Sequence, residues 1–559
     1  MKDLFRKKTV SQIMSDLSTR ESEHGGLHRM LKVRDLTSFG IAAIIGAGIF
    51  STIGRASFNG GPAVSLLFVF VAIACVFTAL CYAQFASTVP VSGSAYTYAY
   101  VSFGELFAWI IGWALILEYA VSNMVVAISW SEYFSSMLSG FGLDLPKWIT
   151  TDPMSSGRAF REMQQAMQTS TLDALPASTR AAAETYQNAP SVGGFKILLD
   201  LPAGLITVLV TSLVYVGIKE SRTTSNILVI IKLAVILLVI FGGAFFVKPA
   251  NWTPFAPNGV GGVLKSVAAV FFAFIGFDSI STTAEECSNP QRDLPRAMIY
   301  ALLICTILYV AISLVLTGMV NYTELKVDDP LSYVFSEVGM NFIAGVISVS
   351  AVVAITSALL VYQLGQPRIW MTMSRDGLLW KKFSEIHPRY QTPGFATIIT
   401  GVLVAVPSLF FDMQFFVDLT SVGTFFAFIL VCGGVLFLDH KGLSKDSKFK
   451  MPRVNGKYLI GLLFVIGLYL SVTQTDFMQA IDEKPLLIVF WITWIVLAIL
   501  GFIYSFSLIP VLGILTNLYL MTELGWSNWR MFVIWLAIGL VIYFSYGYRK
   551  SKLATRQTV

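Results

Sequence analysis

Apolar stretches long enough to cross a bilayer recur in this chain from residue 36 to residue 546. Crossing takes about 20 predominantly apolar residues in a helix. Inside hydrocarbon every backbone N–H and C=O needs an internal partner, so such runs fold as helices. Only 13% of the 559 residues are charged, against roughly 25% in soluble domains. The chain reads as an all-α polytopic membrane protein. A nucleic-acid binder and a secreted enzyme are excluded.

Hydropathy places spans 1 to 5 near 36–58, 63–88, 100–138, 199–218 and 223–247. Spans 6 to 10 fall near 261–284, 297–319, 339–371, 394–411 and 415–438. Four more fall near 456–475, 485–505, 507–521 and 528–547. Few residues separate the twelfth from the thirteenth, so the sequence allows 12 to 14 spans. With the N-terminus cytoplasmic, the inside segments carry 25 Lys and Arg and the outside segments 8. The positive-inside rule selects that orientation, with both termini cytoplasmic. The chain divides into a cytoplasmic segment 1–35, a ten-helix core 36–438, a cytoplasmic loop 439–455, extra helices 456–548 and a cytoplasmic tail 549–559.

Segment 139–197 interrupts the core. It is polar, rich in Ala, Ser, Thr and Gln, and too polar to build a membrane pathway. Short exposed helices or partial disorder outside the membrane are expected there, and the segment reads as dispensable. The FRKKTVSQIMSDLS stretch near the N-terminus reads as a solvated or interfacial helix. No apolar core of signal-peptide length precedes it. The five cysteines lack C-x-x-C spacing and read as unpaired helix residues. His24, His28, His387 and His440 fall in polar connections, which argues against a metal site or a His relay.

Two spans carry glycine at mid-membrane depth. Span 1 reads Ile44-Ile45-Gly46-Ala47-Gly48-Ile49-Phe50, and span 6 reads Phe271-Phe272-Ala273-Phe274-Ile275-Gly276-Phe277-Asp278. They stand five spans apart. Glycine-interrupted spans in matching positions of two halves point to inverted repeats with broken helices. An unwound turn frees N–H groups that attract a carboxylate and carbonyls that accept from an ammonium. The competing reading is close helix packing at small residues.

Ionisable residues inside the spans are few. Glu118, Lys232 and Asp278 each cost about 2.5–3.5 kcal/mol at a helix centre on insertion scales. Either they form a buried structural ion pair, or they couple a proton to transport. Glu105, Glu285 and Glu286 fall at helix ends and read as solvated, and Asp418 falls near an outer helix start. Asn123, Gln363, Thr356 and Ser357 read as bonds between helices, and Trp109 and Trp113 as packing. Phe272 and Phe277 are the aromatic residues considered as gates.

Long strings carry a resemblance: IIGAGIF, GWALILEYA, KESRTTSNILVIIKLAVILLVI, FFAFIGFDSISTTAEE with NPQRDLPRA, and GQPRIWMTMSRDGLL with HPRYQTPGFAT. A late segment, LTNLYLMTELGWSNWRMFVIWLAIGLVIYFSYG, joins them. The chain resembles the cationic amino acid transporter branch of the amino acid–polyamine–organocation superfamily. The resemblance implies a five-plus-five inverted-repeat core, like that of the LeuT fold, with extra C-terminal helices. It implies a substrate site at Ile44, Gly46, Ala47, Gly48, Phe272, Ala273, Ile275 and Phe277. The carboxylate would meet the N–H groups of Ala47 and Gly48, and the amine would meet carbonyls near Ile44, Phe272, Ala273 and Ile275. Lys232 matches a lysine that replaces a sodium ion in proton-coupled relatives, with Glu118 and Asp278 as its acidic partners. Ala47 stands where some relatives have a hydroxyl, so only main-chain contact is available there.

The expectation is a proton-coupled L-amino acid symporter of the plasma or cytoplasmic membrane, working by alternating access. No cofactor is expected; a proton gradient would drive it. Its partners would be a small amino acid and lipid, with no nucleic acid, and a monomer is compatible with the sequence. An exchanger of amino acids or polyamines without net proton coupling, or a non-transporting sensor, are the alternatives. Neutral side chains are expected ahead of arginine and lysine, because the side-chain space is apolar and aromatic.

Overall fold

The computed structural model describes residues 6–9, 12, 31–88, 94–168, 175–217, 222–442, 447, 449–474 and 477–557. Most of the N-terminal FRKKTVSQIMSDLS stretch, with His24 and His28, lies outside them. Helix dominates, and each of the fourteen expected spans contains it.

Span 1 is two pieces, α1 (Val33–Ile44) and α2 (Ile53–Gly60), joined through a π turn at Gly48–Thr52. Span 2 is α3 (Val64–Thr88). A short helix, α4 (Ser94–Ser102), precedes span 3, which is α5 (Glu105–Gly140). The insertion supplies α6 (Pro153–Gln168) and α7 (Ala177–Asn188). Spans 4 and 5 are α8 (Leu201–Val216) and α9 (Arg222–Ala244). Span 6 begins as α10 (Gly259–Leu264) and α11 (Val267–Phe272), then continues as a 3-10 helix at Phe277–Glu286.

Span 7 is α12 (Pro290–Met319). A short α13 (Pro330–Glu337) leads to span 8, α14 (Asn341–Arg375). Spans 9 and 10 are α15 (Gly394–Ser408) and α16 (Met413–His440). The last four spans begin with α17 (Leu459–Gln474), followed by the short α18 (Phe477–Glu483). They continue as α19 (Leu486–Tyr504), α20 (Leu508–Thr522) and α21 (Trp526–Ile542). Ser505, in the left-handed conformation at φ 56°, separates the twelfth span from the thirteenth.

The packing repeats between halves. Span 2 packs on span 7, span 3 on span 8 and span 4 on span 9. Span 5 packs on the first half of span 1, as span 10 packs on the first half of span 6. This is the five-plus-five arrangement. Span 3 is its axis: 89% of the apolar window of α5 is buried, against 17% for α19 at the periphery. The outward faces of the peripheral helices carry exposed Leu205, Ile230, Ile492, Ile499, Val533 and Val541. In water such a surface would be a liability, and in a bilayer it is the lipid face.

The tryptophans of span 3 dock the last helix. Trp113 stacks on Trp535 at 4.6 Å, and each indole N–H donates to the other residue's carbonyl, at 2.8 and 3.0 Å. Trp109 donates to Gly539 O at 3.0 Å. Gly539 permits this approach, since a Cβ there would lie 2.3 Å from the Trp113 ring.

Both described chain ends gather at one face. Glu105 N–H donates to Arg6 O at 2.8 Å, Lys8 pairs with Asp376 at 2.6 Å, and Lys552 N–H donates to Asp376 O at 3.1 Å. Expected to be solvated, Glu105 is instead fully buried. It accepts from Tyr100 at 3.3 Å, Tyr543 at 3.1 Å and the Ser551 hydroxyl. The C-terminal segment folds back over it, which hydropathy could not convey. Gly140, at the far end of the 36-residue α5, lies about 50 Å away at ~1.5 Å per residue. The insertion therefore occupies the opposite face.

There it forms the expected short helices, and it is not a loose appendage. α6 and α7 share a small core of Ala159, Met163 and Ala183. A two-stranded hairpin pairs Ser191–Val192 with Phe195–Lys196 around Gly193 and Gly194, both at positive φ. Arg158 pairs with Asp412, and Ser178 donates to Lys326 O at 2.8 Å. The chain then enters span 4 at Asp200, whose carboxylate caps Ala203 N–H at 3.2 Å.

Candidate functional site

The two glycine-bearing breaks face each other. α1 ends at Ile44 because Ile45 turns extended, at φ −77° and ψ 94°. The helix restarts when Ile49 and Phe50 donate to Gly46 O, at 3.2 and 3.3 Å. In span 6, Phe274 and Ile275 donate to Phe271 O and Phe272 O, tightening the turn, and Gly276 takes φ 111°. Only glycine holds that conformation without strain. A Cβ at Gly276 would also lie 2.9 Å from Ala43 O, and one at Gly48 would lie 2.4 Å from Ala273 Cα. Glycine is thus what lets each break reach the other. The Thr52 hydroxyl adds a tie, 2.6 Å from Gly48 O and 3.0 Å from Ala269 O.

A helix that stops leaves its last carbonyls without internal partners, and one that restarts leaves its first N–H groups free. Three carbonyls around the end of α1 are taken by side chains. The Lys232 ammonium, on span 5, donates to Ala42 O and Ile45 O, both at 2.9 Å. The Tyr309 hydroxyl, on span 7, donates to Ile44 O at 3.1 Å. The N–H groups of Gly46, Ala47 and Gly48 stand at the restart, where a helix dipole favours an anion.

Every site residue expected from the sequence is buried at this junction or beside it. Ile44, Ala47, Ala273, Ile275 and Phe277 are at most 2% exposed, and Phe272 is 5% exposed. Phe277 packs edge-on to Tyr82 at 6.1 Å and against Phe428 at 5.2 Å. Phe271 stacks on Phe425 at 3.8 Å. Glu118 and Asp278 lie within each other's electrostatic reach, and both act on the hydroxyls of Tyr82 and Tyr362. The Asp278 carboxyl lies against the backbone N–H groups of Gly276, Asp278 and Ser279. Asn123 donates to Gln363 at 2.7 Å, and Gln363 in turn to Thr211 at 2.7 Å, bonds between helices as expected.

Sequence reasoning missed several groups. Tyr309, Thr52 and Tyr133, which donates to Phe50 O at 2.6 Å, all serve the broken backbone. Their one signal is a hydroxyl on an otherwise apolar helix.

Two broken helices that cross near the middle of a helical bundle, with unwound backbone between them, define the class of secondary transporters built from inverted repeats. The amino acid permease family model matches residues 31–497, and the model of that family's C-terminal region matches residues 505–551. The chain belongs to the amino acid permease family. It is 38% identical to a branched-chain amino acid permease of Bacillus subtilis (strain 168), over 98% of this chain and 99% of that one. A methylthioribose transporter of the same organism is 35% identical, over 99% of this chain and all of its own length. A vacuolar cationic amino acid transporter of Arabidopsis thaliana is 32% identical, over 99% of this chain and 97% of that one.

Proposed function

We propose that the chain is a proton-coupled L-amino acid symporter, with neutral side chains preferred over cationic ones. The observation that carries this reading is the Lys232 ammonium seated on the carbonyls of Ala42 and Ile45 at the break of span 1. A fixed cation there steadies the unwound segment, and its proton can leave, which a sodium ion's charge cannot. Asp278 and Glu118, buried within each other's electrostatic reach, are the groups assigned to pass that proton. The substrate carboxylate meets the N–H groups of Gly46, Ala47 and Gly48. Its ammonium meets the carbonyls of Phe272, Ala273 and Ile275 as Tyr309 yields Ile44 O. The backbone reads only these shared ends, and the side chain lies toward Phe272 and Phe277. No bond is made or broken. The charge asymmetry of the loops supports an orientation with both termini on the cytoplasmic side.

The test is initial uptake of labelled leucine, alanine and arginine by proteoliposomes, with and without an inward proton gradient. Acid-driven accumulation of leucine or alanine is expected. Uptake that needs preloaded amino acid and ignores the gradient would make the protein an exchanger. Methylthioribose belongs in the panel, because one relative is a transporter of that compound. Methylthioribose uptake without amino acid uptake would overturn the substrate reading.

A further inference from the structure

We infer that the cavity roofed by α6 and α7 is a second binding site, which captures a zwitterionic L-amino acid before it reaches the breaks in spans 1 and 6. The cavity measures about 1000 Å³ and lies between the insertion and the outer ends of α2, α5 and α16. That is at the upper end of the ~300–1,000 Å³ common for ligand pockets.

Its wall is mixed in sign. Arg55 and Lys326 stand beside Glu132 and Asp328, and the Arg55 charge acts on both carboxyls. Adjacent opposite charges suit a ligand that carries an ammonium and a carboxylate a few ångströms apart. Glu132 gives a second, independent indication. Its Oε2 is shut off from solvent and has no hydrogen-bond partner among the described residues. A buried polar atom left in that state is costly, and Glu132, which is only half-buried, has to turn its carboxyl into the cavity for a ligand ammonium to satisfy it.

The roof is fixed by Arg158 to Asp412 and by Lys326 to Thr179 at 3.2 Å. Below it a narrower space lined by Ser51, Thr52, Arg55 and Gln414 continues toward span 1. Arg55 donates to Gln414 at 3.4 Å across that passage. The cavity therefore adjoins span 1 at Ser51 and Thr52, within about one helical turn of Gly48.

The inference rests on the transport reading, and the experiment separates the two. L-Leucine flux is measured with the full chain in vesicles of defined orientation, once from the insertion side and once from the opposite side. Glu132→Gln and Asp328→Asn should each raise KM from the insertion side about fivefold or more, the factor of one charge-assisted hydrogen bond. KM from the opposite side should stay within about twofold, while the maximal rate from that side falls by the same factor as KM rises on the insertion side, because Vmax/KM must be equal in the two directions when no gradient is applied. Asp328 lies on an exposed turn, so its variant keeps the test alive if Glu132→Gln does not fold. An unchanged KM in both variants, or an equal rise from both sides, overturns the vestibular site while transport by the parent stands. A parent that moves no leucine overturns the transport reading and this inference with it.

Discussion

The Lys232 ammonium lies 2.9 Å from both Ala42 O and Ile45 O, joining span 5 to the broken end of span 1 across 190 and 187 residues of sequence. An ammonium has three donors, and two are spent here. Lys232→Met keeps the length and apolarity but leaves both carbonyls bare. Acid-stimulated uptake should fall to background while the protein still inserts and stays monodisperse. Lys232→Arg should fail too, since a guanidinium is bulkier and stays charged. Initial uptake over a range of external pH decides the matter. Parental rate and pH dependence in Lys232→Met would reduce Lys232 to a structural residue.

Gly48 and Gly276 are where the two breaks touch. The added methyl of Gly48→Ala would lie 2.4 Å from Ala273 Cα, a backbone atom that cannot swing aside. Gly276→Ala adds a positive-φ penalty to its clash with Ala43 O. Each should lower leucine uptake more than tenfold, roughly 1.4 kcal/mol or more of lost stabilisation. As a control, Gly345→Ala has nothing within 4 Å of the new Cβ and should transport normally. Uptake near the parental level in Gly48→Ala would show that spans 1 and 6 need not approach so closely.

The fold was legible because its signals are local. Each span announces itself by a run of apolar residues, and the breaks announce themselves by Gly46, Gly48 and Gly276. The match of span 1 with span 6 needed only their spacing. What stayed hidden depends on pairs distant in sequence. Nothing near Tyr309 says that its hydroxyl reaches Ile44, 265 residues away. Nothing near Glu105 says that Ser551 and Tyr543 will cover it. The insertion was read as short exposed helices or partial disorder, and α6 and α7 are such helices, but composition could not say that they would fold down over a charged cavity.

Glu105 makes that lesson testable. Its carboxylate collects three hydroxyl donors, from Tyr100, Tyr543 and Ser551, at the face where both described chain ends gather. Glu105→Ala leaves buried hydroxyls without an acceptor, which costs about 1–3 kcal/mol. The melting temperature of the purified protein should drop by several degrees, and proteolysis should release the C-terminal segment sooner. Glu105→Gln keeps one acceptor oxygen and should lose less. An unchanged melting temperature in Glu105→Ala would mean that the C-terminal segment is not held by this residue.

At the opposite face Asp329 predicts a pH dependence. Burial pushes its carboxyl from the ordinary 3.8 up to about 6, the Ser136 hydroxyl works the other way by bonding to it, and the neighbouring Asp328 adds to the rise. An acid whose pKa is higher in the folded protein binds its proton more tightly there than in the unfolded chain. Its contribution to stability is therefore full below about 3.8 and is lost as pH climbs through about 6. Melting temperature in detergent, followed across that window, should fall more steeply with rising pH in the parent than in Asp329→Asn. The asparagine variant has no proton to lose at this position, so the difference between the two curves reports Asp329 together with its coupling to Asp328. Parallel curves would show that Asp329 is solvated in the protein and that the turn before α13 is looser than its burial implies.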